Sequence, residues 1–152
     1  MAFATGYLAD PSQVGGGERK GAANTIITKT TFEDGLRVGR FAKLDTGSID
    51  NMDGSVTPAI VGVPLRNVAA AVEEGLTVDA SLHDNIELQI GGLVTVYVKT
   101  GESEPAFRGT VYASNAGDAN DGLATSTGTD IEVPNCEFIE AVASNVWLVR
   151  LI

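Results

Sequence analysis

The stretch Asn85-Ile-Glu-Leu-Gln-Ile-Gly-Gly-Leu-Val-Thr-Val-Tyr-Val-Lys-Thr100 decides the reading of this chain. Ile86, Leu88 and Ile90 alternate with Glu87 and Gln89. After Gly91 and Gly92, Val94, Val96 and Val98 alternate with Thr95, Tyr97 and Lys99. Period-two alternation on both sides of a glycine pair predicts a β-hairpin, because glycine accepts the positive φ of a two-residue turn. A third strand is expected at Arg108–Ala113, after a loop over Gly101–Pro105. Three strands with one apolar face are not stable alone in water, so the rest of the chain has to close over them.

Working outward, the flanking segments repeat the same signals. Strands are expected at Thr25–Phe32, Leu36–Leu44, Ala59–Val63 and Leu76–Ala80, with Gly39 as a bulge or close-approach point. Asp45–Thr57 reads as a polar loop. Leu65–Gly75 carries both signals, three alanines before a glycine for a helix and apolar alternation for a strand. Glu73 and Glu74 would oppose the dipole at a helix C-terminus, so the strand reading is favoured. Leu123–Thr129 reads as weakly structured. Further strands are expected at Ile131–Val133, Cys136–Val142 and Val146–Ile152, the last two joined by a hairpin at Ala143–Asn145. The sum is an all-β fold, a compact β-barrel or β-sandwich of about nine or ten short strands.

Residues 1–24 differ from the rest. Pro11, Gly15–Gly17 and Gly21 break all periodicity, and Phe3, Tyr7, Leu8 and Val14 are scattered. An extended N-terminal arm over 1–24 followed by one β-domain over 25–152 is the expected organisation. Residues 1–31 hold Arg19, Lys20 and Lys29 against Asp10 and Glu18, a net +1, which leaves −11 on residues 32–152. A net charge of −10 argues against nucleic acid and anionic membranes as partners. No apolar run is long enough to predict a membrane span, and Met1–Tyr7 lacks the form of a secretory signal, so synthesis in a cytoplasm is expected.

Catalytic constellations are thin. His83 is the one histidine, and Cys136 the one cysteine, read as a buried packing residue. The acidic loops Asp45–Gly54 and Asp118–Gly122 lack the ligand spacing of a calcium loop, so turn chemistry explains them. Gly15–Lys20 lacks the spacing of a phosphate-binding loop. No cofactor, metal or enzymatic activity is expected.

Four segments together carry a resemblance. Gly35-Leu-Arg-Val-Gly-Arg-Phe-Ala-Lys-Leu44, Ile60-Val-Gly-Val-Pro-Leu-Arg66, Asn85–Val98 and Arg108-Gly-Thr-Val-Tyr112 give a chain that resembles the cement, or decoration, proteins of tailed bacteriophage heads over roughly residues 30–150. The resemblance implies a homotrimer on the outer capsid surface of the virion, made in a bacterial host cytoplasm, that clamps neighbouring copies of the major capsid protein. It implies no active site, and it includes a terminal arm. Within that arm Phe3, Tyr7, Leu8, Arg19 and Lys20 are the expected capsid-contact residues. The competing expectations are a virion or cell-surface β-module binding a ligand such as carbohydrate, and a small β-fold enzyme. Pro105-Ala-Phe-Arg-Gly109 is similar to the Tyr-Arg-Gly element of trimeric dUTPases, but the aspartate motif of that family is absent.

Overall fold

A computed structural model of the chain describes residues 19–65, 77–78 and 86–152. Every regular element among them is a strand. They are β1 (Arg19–Lys29), β2 (Leu36–Arg37), β3 (Ala42–Asp45), β4 (Ser48–Asn51), β5 (Ala59–Pro64), β6 (Thr77–Val78), β7 (Ile86–Tyr97), β8 (Thr110–Ala113), β9 (Ala124–Thr125), β10 (Ile131–Ala143) and β11 (Val146–Leu151). Nine of them form one curled antiparallel sheet in the order β4-β3-β5-β7-β11-β10-β8-β9, with β1 beside β7, and β2 and β6 pair separately. The expected Leu65–Gly75 element beyond Leu65 itself, and His83, lie outside the described residues.

The glycine pair does not turn. Ile86–Tyr97 is one continuous strand, which corrects the expected hairpin. On one edge β7 runs beside β1, from Lys29↔Ile86 to Arg19↔Val94. On its other edge it pairs first with β5 at Leu88 and Gln89, then with β11 from Gly92 to Tyr97. The glycines sit at this handover. A Cβ on Gly91 would stand 3.0 Å from the Thr25 hydroxyl, and Gly92 has φ 87°. A tight turn and a crowded bend both require a missing Cβ, so the sequence signal is the same for the two.

Continuity lets β7 feed two cores. Ile86 and Leu88 pack with Phe32, Leu36, Ala42 and Ile49. Val94, Val96 and Val98 enter the main core with Phe41, Val111, Phe138 and Val149. Each such buried side chain contributes roughly 1.5–3 kcal/mol relative to exposure. Phe138 meets Trp147 edge-on, with ring centroids 5.6 Å apart at 77°. The sheet then curls back on itself. Val98, just past β7, bridges Ala124 of β9, and Lys99 N–H donates to Ala124 O at 2.9 Å.

Other elements shift for local reasons. The expected Leu36–Leu44 strand divides into β2 and β3, because the chain reverses its hydrogen bonding around Gly39 (φ 75°): Gly39 N–H donates to Pro64 O, and Gly39 O accepts from Tyr97 N–H. Asp45–Thr57, expected as loop, contains a tight hairpin. Asp45 pairs with Ser48 around Thr46 and Gly47, both at positive φ, and Ile49 is the buried anchor of the polar strand β4. Ile131–Val133 and Cys136–Val142 merge into β10, which absorbs Pro134 and Asn135 (φ 52°) as an irregularity in its pairing with β8. Ala124 and Thr125, in a stretch expected to be weakly structured, are buried in β9. The hairpin at Ala143–Asn145 joins β10 to β11 as expected.

Candidate functional site

Of the expected contact residues, Phe3, Tyr7 and Leu8 lie outside the described residues. Arg19 and Lys20 open β1, with backbones opposite Val94 and Leu93. The strand therefore starts inside the segment assigned to the arm. Its last residue from that segment, Asn24, is tied to the body. Asn24 Oδ1 accepts from Leu93 N–H and from Gln89 Nε2, each at 3.2 Å. Gln89 is fully buried, and its Nε2 also donates to the carbonyls of Gly91 and Leu93. These polar contacts fill the irregular register of β1 between Lys20 and Ile26.

Three sheet edges can be compared. The outer edge of β4 is covered by the preceding segment: Glu33 N–H donates to Ile49 O, and Ile49 N–H to Thr31 O. The outer edge of β9 is covered by Val98 and Lys99. Among the described residues, no strand pairs with the second edge of β1. Sequence reasoning placed the contacts in the arm and overlooked this edge. Its signal was present as the β-branched run Thr25-Ile-Ile-Thr-Lys-Thr-Thr31.

At one end of the body, two acidic loops lock together. Asn115 Oδ1 accepts from Gly54 N–H and Asn115 Nδ2 donates to Ser55 O. Arg40 is buried, and its Nη1 donates to Ala119 O at 2.7 Å and Asp121 O at 3.2 Å. Asp121 Oδ1 accepts from Gly117 N–H and Asp118 Oδ1 from Asn120 N–H. The carboxylates are thus engaged as turn formers. Lys43 donates to Asp53 Oδ2 at 2.8 Å and Ser55 Oγ at 3.2 Å. The Lys43 ammonium, then the Ser55 hydroxyl, hold the Asp53 carboxyl down at about 2. Val56, 90% exposed, tips this end.

Phe107, 70% exposed, stands on the turn before β8. That turn is pinned to β10 by Arg108 N–H to Phe138 O at 2.7 Å and Phe138 N–H to Gly109 O at 3.0 Å. Beside it, Glu137 pairs with both Arg108 and Arg150. A cleft of about 170 Å³ lies between β5, β7, β10 and β11, with Ile60, Val61, Ile90, Val133 and Leu151 in its wall. The side chains that line it are apolar and none is titratable.

The sequence matches the family described as structural cement protein (E217 gp24/Pam3 gp6) over residues 4–152. The chain belongs to this family of phage structural cement proteins. A chain from the capsid of Myoviridae phage XM1 is similar to it at 34% identity and a TM-score of 0.86, covering 99% of this chain and 98% of that one. No curated protein matches the sequence. As a cement protein the chain is a structural component of the virion and associates with capsid subunits.

In a cement protein the relevant chemistry is that of surfaces and of what stiffens them. Burial pushes the Cys136 thiol up to about 12, so it is a packing group and a poor nucleophile. Glu102 is held below the usual carboxylate range by the Thr125 hydroxyl first, with Lys99 and Thr127 adding to it. These bonds fasten the long Lys99–Gly109 connection to β9. No group of three His, Cys, Asp or Glu side chains positioned to hold a metal occurs among the described residues.

Proposed function

We propose that this protein binds the outer surface of the assembled phage head as a homotrimer and cements neighbouring major capsid subunits, without catalysing a reaction. The observation that carries the reading is the likeness over essentially the full length, both to the cement family and to a capsid chain. A body with two cores joined by one strand, β7, supports it, because a clamp must resist deformation. The segment ahead of β1, residues 1–18, supplies the reach, with Phe3, Tyr7 and Leu8 as contacts joined by Arg19 and Lys20 at the start of β1. Three arms on one trimer make the second and third attachments intramolecular, so modest contacts add up to high avidity. The charge of −10 keeps a crowded particle surface soluble and disfavours nucleic acid and anionic membranes as partners. Synthesis in the bacterial host cytoplasm follows from the same reading, and no cofactor enters it.

The test is cosedimentation of the purified protein with expanded, cement-free shells of the phage that encodes it. Saturable binding at a fixed ratio to the major capsid subunit, with a raised melting temperature of the shell, is the expected result. A folded protein that stays in the supernatant would overturn the reading and direct attention to a glycan screen.

A further inference from the structure

We propose that the edge of β1 left unpaired among the described residues receives an extended segment of a capsid subunit, which adds a strand to this sheet. The inference rests on the cement reading above and names the surface through which it acts.

The direction of the backbone groups carries the argument. Leu65 N–H donates to Glu87 O at 2.9 Å, on the β5 side of β7. A Cβ on Gly62 of β5 would lie 2.2 Å from Gln89 O, so that carbonyl also faces β5. In an antiparallel ladder alternate residues turn their backbone groups to opposite edges. The groups of Ile86 and Leu88 therefore face β1. Their partners Lys29 and Ile27 hold the ladder. The N–H and C=O of Ile26 and Thr28 consequently point away from β7, out of the sheet. They form two donors and two acceptors at strand spacing, the arrangement that accepts an added strand.

The irregular pairing of β1 ends at Ile26, so the stretch Ile26–Lys29 pairs regularly with β7; no proline interrupts it, and Thr25 and Thr28 are exposed β-branched residues. The other two edges of the sheet are covered by the chain's own segments. Charge selects the occupant. Residues 19–31 carry Arg19, Lys20 and Lys29 and no acid, whereas residues 32–152 carry −11. A second β1 brings only further cations to this edge, so it complements the edge less well than a segment that carries acids. An extended capsid segment bearing carboxylates supplies that complement.

The test is residue-resolved hydrogen exchange of the full-length protein, free and bound to cement-free shells, beside binding by T28P. Thr28→Pro removes only an outward-facing donor, a change that edge strands tolerate. In the free protein the amides of Ile26 and Thr28 should exchange fast while those of Ile27 and Lys29 are protected. On shells all four should be protected. T28P should keep its melting behaviour and bind about tenfold or more weakly, the scale of one lost hydrogen bond in a ladder. Fast exchange of Ile26 and Thr28 in the shell-bound protein would overturn the proposal while leaving the cement reading intact. So would wild-type affinity of folded T28P. Protection that appears on concentrating the free protein would overturn it in favour of a second copy. Failure of the wild-type protein to bind shells would remove both readings together.

Discussion

Gly62 shows how far a single atom can matter here. It lies where β5 crosses closest to β7, at φ 155°, and a methyl group would have to occupy the space of the Gln89 carbonyl oxygen, 2.2 Å away. Backbone cannot swing aside as a flexible side chain can, so Gly62→Ala should cost roughly 2–4 kcal/mol through overpacking and strain. Urea unfolding would show this as a lower midpoint with an unchanged slope. Asp53 makes a different prediction. Its carboxyl is held at about 2 against an ordinary 3.8, first by Lys43 and then by Ser55. A folded-state value below the unfolded one stabilises the fold above pH about 4, and that contribution is lost as pH falls through about 2. Asp53 is 58% exposed, so solvent screening keeps the effect small. Wild-type and Asp53→Asn proteins should differ in melting temperature at pH 6 and converge near pH 2, and added salt should shrink the difference.

At the scale of elements, β7 and its irregular neighbour β1 decide the architecture. β1 departs from regular pairing between Lys20 and Ile26, and Asn24 bridges the gap to Leu93 and Gln89. Asn24→Ala leaves the Leu93 N–H without its acceptor, while Gln89 Nε2 keeps the carbonyls of Gly91 and Leu93, and should destabilise the fold by about 1–2 kcal/mol. Chemical denaturation measures that cost. Loss of exchange protection confined to β1 and the centre of β7 would place it. The same region shows where sequence reading stops. Alternation on either side of Gly91-Gly92 correctly put Ile86, Leu88, Val94 and Val96 in the core. It could not separate a turn from a crowded bend, because both select glycine for the same missing Cβ. β4 was missed because only Ile49 of Ser48–Asn51 is apolar, and one anchor makes no period. β9 was missed because two buried residues, Ala124 and Thr125, leave no pattern at all.

At the scale of the whole molecule, the arm and the body should separate experimentally. β1 begins at Arg19, so a truncation should stop after Glu18; cutting after Asn24 would remove half a strand and the Asn24 bridge. Protein lacking residues 1–18 should melt within a few degrees of the full chain and bind shells more weakly. Calorimetry and cosedimentation read the two effects independently. Equal binding by the truncated protein would assign the attachment to the body and remove the arm from the mechanism. Composition, alternation and turn residues by themselves determined that the chain is all-β, that its surface is acidic and that Val146–Leu151 is sewn into the sheet. Those properties follow from local hydrophobic pattern and from counted charge. Tertiary structure alone decided that β7 is one strand serving two cores, that the edges of β4 and β9 are covered, and that no strand among the described residues pairs with the second edge of β1. Each of these depends on which backbone groups find partners across the fold, and strand pairing between distant segments leaves no period in the sequence to read.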